Sequence, residues 1–126
     1  MELLFESTNR FEKDLKSFDK PDKKRIINAL NQYGSEVRDD PSVTPHRVRP
    51  LRIPQLKDVL DTTLYELRVS PKIRVILTLD EDPIFDQIII GLLRVARHDK
   101  MKDMVSGLWQ SLYQNMRNKD AEDFHG

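Results

Sequence analysis

Leu64-Tyr65-Glu66-Leu67-Arg68-Val69, then Ser70-Pro71-Lys72, then Ile73-Arg74-Val75-Ile76-Leu77-Thr78-Leu79 is the stretch that decides the fold. Side chains alternate across an extended chain, so Tyr65, Leu67 and Val69 fall on one face and Glu66 and Arg68 on the other. In the second run Ile73, Val75, Leu77 and Leu79 face one way, and Arg74, Ile76 and Thr78 the other. Ser70-Pro71-Lys72 is a hairpin loop between them. A hairpin centred on Pro71 sets Leu67 against Val75 in the core and Arg68 against Arg74 outside it. The two parities agree. Two cations therefore share the face turned away from the core.

Asp80-Glu81-Asp82-Pro83 reads as a turn. The apolar run through Ile88-Ile89-Ile90 then predicts a fully buried central strand ending near Arg97. With Leu93 and Val95 facing the core, Arg94, Ala96 and His98 join the arginine face. Met101, Met104, Val105, Leu108, Leu112 and Met116, with Trp109 beside them, repeat at helical spacing. This amphipathic C-terminal helix is suited to folding back on the open face or to packing between two copies of the chain.

Before the hairpin, Leu3-Leu4-Phe5 reads as a first strand. Asn9 and Glu12 have the spacing of a capping box, and Phe11, Leu15 and Phe18 make the buried stripe behind it. Pro21 after Asp19 opens a second helix, with Ile26, Ile27, Leu30 and Tyr33 on its apolar face and Gly34 as its C-terminal cap. Residues 35–47 read as loop, and residues 48–53 as a strand kept at a sheet edge by Pro50 and Pro54. The order β-α-α-β-β-β-β-α predicts an α+β fold. An N-terminal αα-hairpin packs on a mainly antiparallel, twisted sheet of four to five strands, followed by the C-terminal helix. One domain covers residues 1–126, with a core over about 3–104, the last helix over about 100–117 and a polar tail from 118.

The chain has 126 residues, enough for one hydrophobic core, and no cysteine, which excludes disulfides and thiolate metal sites. Charge at Glu2 and Glu6 does not read as a signal peptide, and Ile88 to Leu93 is far too short to span a bilayer. A cytoplasmic protein without membrane contact is expected. Formal net charge is zero, yet residues 44–102 hold eleven Lys and Arg against eight Asp and Glu. Four of those acids, Asp80, Glu81, Asp82 and Asp86, crowd one short stretch, so the remainder is locally basic, and local patches attract phosphate.

Taken together, five features resemble the RelE/ParE superfamily of bacterial toxins from toxin–antitoxin pairs. They are Phe11 to Leu15, Pro50-Leu51-Arg52, Leu64 to Val69, Ile73 to Leu77, and a late strand ending Arg97-His98. The likeness spans roughly residues 3–104 and favours the RelE-like branch. It implies a ribosome-dependent mRNA endonuclease that inhibits translation, held inactive by a cognate antitoxin, with mRNA on the ribosome as substrate. The implied chemistry is attack of a ribose 2′-OH on the adjacent phosphate, with no metal or other cofactor. It calls for a base, cations on the phosphate and an acid for the leaving 5′-oxygen.

By resemblance, Arg74 matches the arginine that contacts the scissile phosphate, and His98 a position used for acid–base work. Arg68 and Glu66 match outward positions where members place basic residues, Glu66 being open to a role as base. Arg52 matches a residue lining the substrate channel, and Arg49 stands where some members place a catalytic glutamate. Arg97, Lys100 and Lys102 are candidates for electrostatic steering of RNA. Many nucleolytic members carry a tyrosine after the last strand, whereas Asp99, Met101 and Met104 stand here. Two alternatives follow: a ParE-like toxin of DNA gyrase, or an idle toxin-fold module that only binds an antitoxin. His46, in a loop, and His125, in the tail, are read as inert, and the acidic Asp80–Asp82 stretch as a solvated turn.

Overall fold

The computed structural model describes residues 2–42, 45–51 and 64–107 of the chain. Five strands, β1 (Glu2–Ser7), β2 (Val48–Leu51), β3 (Leu64–Arg68), β4 (Ile73–Asp82) and β5 (Gln87–Arg97), form one sheet in the order β1-β5-β4-β3-β2. Two helices, α1 (Asn9–Lys16) and α2 (Lys20–Asp39), separate β1 from β2. A 3-10 turn at His98–Lys100 leads into helical residues 101–107. Every strand pair is antiparallel except β1 with β5, so the sheet is mixed. Among the described residues no helix is long and apolar enough to cross a membrane.

The expected hairpin register is present: Leu67 pairs with Val75 and Arg68 with Arg74. Leu67, Val75 and Leu77 are fully buried beneath the helices, together with Ile26, Val37, Ile88 and Ile90. Burying each such side chain contributes about 1.5–3 kcal/mol, so this layer dominates the stability.

Several local expectations are corrected. Thr8, not Asn9, caps α1, its hydroxyl accepting from the Phe11 amide at 3.0 Å. Asp19 caps α2, accepting from the Asp22 amide at 2.9 Å, and Pro21 stands in the first turn as expected. Gly34 does not end that helix. The stripe Ile26, Leu30, Tyr33 continues to Val37 at helical spacing, so burial carries the helix on to Asp39 through residues expected as loop. Gly34 instead lets β1 approach: an added Cβ would lie 2.8 Å from Leu3 Cδ2 and 2.9 Å from Phe5 Cζ. Ile27, expected on the buried face, is exposed.

Strand β4 runs through the acidic residues to Asp82, and the turn falls three residues later than expected, at residues 83–86. Asp86 takes a positive φ of 50° there. The last strand is interior to the sheet but not buried on both faces, since Ile89 and Gly91 are only half-buried. An irregularity shifts its register: Leu77 pairs with Leu92, but Ile76 pairs with Arg94. Leu93 is the extra residue, and such a bulge re-aims the side chains around it. Leu92 and Val95 therefore enter the main core, while Leu93 packs against a second cluster on the opposite side.

That second cluster, Leu64, Ile76 and Met104 with Leu51, Leu93, Ala96, Met101 and Val105, covers part of the arginine face, which is the folding back that the methionine stripe allowed. Ile76 is fully buried because the helical residues 101–107 fold back over it, as the stripe of methionines allows. Leu108, Trp109, Leu112 and Met116, and any pairing of two chains through them, lie outside the described residues.

Candidate functional site: an arginine cleft at one end of the sheet

The face that carries Arg68 and Arg74 is thus divided. Its far end is sealed by Met104, and its hairpin end is a cleft of about 550 Å³ lined by Arg49, Glu66, Arg68, Arg74, His46 and His98, among others. Strand geometry explains the convergence. The start of β2, the end of β3, the start of β4 and the end of β5 all meet at this end, and side chains two residues apart share a face.

Glu66 is the organising residue. It was expected on an open face, yet its side chain is only 5% exposed. A buried carboxylate is tolerated when paired and hydrogen-bonded. Here Oε1 lies 3.2 Å from Arg74 Nε, and Oε2 accepts from Arg49 Nη2 at 3.1 Å. Arg49 is the direct cross-strand neighbour of Glu66. Both carboxylate oxygens are therefore bound by guanidinium groups.

Arg74 is held from a second side. Its Nη1 donates to the Ser70 carbonyl, and at 3.1 Å to the Ile73 carbonyl. The Ser70–Ile73 turn that supplies these acceptors is closed by its own backbone bond, Ile73 N–H to Ser70 O at 3.3 Å. The guanidinium is therefore preorganised, with its side chain 11% exposed. Arg68, directly across the hairpin, is exposed, and among the described residues its side chain makes no ion pair or hydrogen bond. One arginine is held by its neighbours, and the other is exposed and unpaired among the described residues.

His98 starts the turn after β5 and is tied down by its backbone, its N–H donating to Lys72 O at 2.7 Å. Its imidazole is exposed along the cleft. His46, read from the sequence as inert, lines the same cleft. It sits in a turn closed by Val48 N–H to Pro45 O at 2.9 Å, and Arg47 beside it pairs with Glu36 at 2.6 Å. A histidine between prolines carries no signal of its own, and only the β2–β3 register brings it to the site.

Other candidates lie elsewhere. Arg97 pairs with Ile73 and so faces the helices, stacked 5.4 Å above the Phe18 ring and 4.0 Å from Asp22. Arg94 does not join the arginine face as a free cation. It forms a two-pronged pair with Asp14 of α1 at 2.7 and 3.2 Å, and Asp14 also accepts from the Val95 amide where β1 has ended. Lys100 and Lys102 are exposed and do not line the cleft. Arg52 lies outside the described residues. Among the described residues no three His, Cys, Asp or Glu side chains converge as metal ligands.

Chemically, the cleft offers four guanidinium groups, Arg47, Arg49, Arg68 and Arg74, partly balanced by Glu36 and Glu66. Such a set suits phosphate oxygens, which guanidinium groups bind with fixed geometry. The two imidazoles add proton donors and acceptors. No Phe, Tyr or Trp among the described residues lines it, so among them no ring is placed to stack on a base.

No family model and no curated protein sequence matches the chain. Among solved structures, the YoeB/ParE toxin from Agrobacterium tumefaciens is similar, with a TM-score of 0.52 at 12% identity, covering 78% of this chain and 99% of that one. A weaker likeness, TM-score 0.42 at 17% identity, is to a chain of the RelBE2 toxin–antitoxin complex from Mycobacterium tuberculosis, covering 78% of this chain and 100% of that one. With the backbone agreement to the Agrobacterium toxin added to the strand order and register above, the chain shares the fold of that YoeB/ParE toxin.

Proposed function

We propose that this protein is the toxin of a toxin–antitoxin pair and acts as a ribosome-dependent mRNA endonuclease. The observation that carries the reading is the convergence of a held arginine, an exposed arginine and histidines on one cleft. Arg74, rigidly aimed, and Arg68, free to follow charge, stabilise the extra negative charge on phosphorus as the 2′-oxygen attacks. Glu66 serves as the positioning residue for Arg74, because both its oxygens are already bound. His98 takes part in proton transfer. Arg49 flanks the entering strand, the resemblance adds Arg52 as an RNA contact, and Arg97, Lys100 and Lys102 contribute longer-range attraction. With no Phe, Tyr or Trp among its described lining residues, the cleft relies on the ribosome to hold the codon in place. The cognate antitoxin is the expected protein partner.

Inducing the protein in cells and mapping mRNA ends tests this. Codon-phased cuts in translated messages, lost in Arg68→Ala, support the reading. Growth arrest with intact mRNA and a DNA-damage response would instead assign a gyrase-directed toxin, and absence of toxicity an antitoxin-binding module.

A further inference from the structure

We propose that His46 and His98 are the two proton-transfer groups of the reaction, acting from opposite sides of the phosphate seat formed by Arg68 and Arg74. This rests on the endonuclease reading. Cleavage by a 2′-OH needs one group to take a proton and another to give one. Glu66 is unsuited to either task, since Arg74 and Arg49 hold its two oxygens at 3.2 and 3.1 Å and its side chain is 5% exposed. Arginine does not deprotonate in proteins. Among the described cleft-lining residues the two imidazoles, both exposed, remain as groups that can take or give a proton.

Their placement fits the division of labour. His46 precedes β2, and His98 follows β5. The hairpin of β3 and β4 that carries Arg68 and Arg74 lies between those strands in the sheet. Both histidines stand on anchored backbone, the Pro45–Val48 turn and the bond from His98 N–H to Lys72 O. One neutral imidazole takes the 2′-OH proton as the 2′-oxygen bonds to phosphorus. The other, as imidazolium, gives its proton to the 5′-oxygen as the P–O5′ bond breaks. The products are a 2′,3′-cyclic phosphate and a 5′-OH, and the two imidazoles end with protonation states exchanged.

The test uses ribosomes programmed with a synthetic mRNA whose cut site has first been mapped with the wild-type chain. The mRNA carries either the natural 5′-oxygen or a bridging 5′-sulfur at the scissile bond; a thiolate leaves without needing a proton. On the oxygen mRNA, His46→Ala and His98→Ala should each slow single-turnover cleavage by about 10²–10⁴-fold, with unchanged melting temperature. On the sulfur mRNA, one variant should recover close to the wild-type rate and the other should stay slow. Wild-type cleavage of the oxygen mRNA by His46→Ala, or an equal response of both variants to sulfur, overturns the assignment while leaving the endonuclease reading intact. A wild-type chain that cuts neither mRNA overturns both.

Discussion

Glu66 and Arg74 form a buried ion pair, Oε1 to Nε 3.2 Å, with side chains 5% and 11% exposed. Taking away one member of such a pair leaves a charge without its partner in a low-dielectric setting. Glu66→Ala is therefore expected to cost about 3–5 kcal/mol in urea denaturation. Glu66→Gln, which keeps one acceptor oxygen, should cost less. If Glu66 positions Arg74, both variants should also cleave more slowly at a temperature where they remain folded. Wild-type stability in Glu66→Ala would refute the pairing.

A second pair does structural work only. Asp14 receives Arg94 at two points and the Val95 amide at a third. Asp14→Ala should cost about 3 kcal/mol, because it leaves both the guanidinium and an amide without an acceptor. Cleavage by the folded variant should be unchanged, since Arg94 does not line the cleft.

Gly34 sits in mid-helix against β1. Alanine there gains helix propensity but pushes on the ends of Leu3 and Phe5, so Gly34→Ala should stay within about 1 kcal/mol of wild type. Gly34→Leu has no such compensation and should destabilise by about 1–3 kcal/mol, read as a lowered melting temperature.

Burial, with smaller contributions from Tyr65 and Glu36, pushes the Tyr33 hydroxyl up to about 12 from its ordinary 10.0. The unfolded chain releases that proton at the lower pH and the folded chain at the higher one. Stability linked to Tyr33 is thus fully present below pH 10.0 and is lost as pH rises towards about 12. Absorbance of tyrosinate should show one late step that Tyr33→Phe removes, and the variant should lose less stability over that range.

The hairpin was legible in the sequence because strict alternation on two runs admits one register, and that register put Arg68 opposite Arg74. Burial of Glu66 was not legible, since its second partner, Arg49, comes from a different strand and only the β2–β3 pairing brings them together. The bulge at Leu93 was hidden because Leu92 and Leu93 are both apolar, so hydrophobicity alone does not mark which one leaves the core. His46 gave no signal in a proline-flanked loop. For Arg97 the alternation did hold the answer. It shares parity with Val95, and hence the helix face, which proximity to His98 in sequence obscured.

The central claim is that the cleft around Arg68 and Arg74 cuts mRNA. Arg68 is exposed, so Arg68→Ala should change stability by no more than about 0.5 kcal/mol, which makes it a clean probe. The decisive measurement compares wild type and Arg68→Ala on purified ribosomes carrying a defined codon in the A site, scoring 2′,3′-cyclic phosphate ends. Wild type should produce such ends at the codon, with Arg68→Ala slower by about 10²–10³-fold. Intact mRNA with the wild-type chain, or equal cutting by the two proteins, would contradict the assignment.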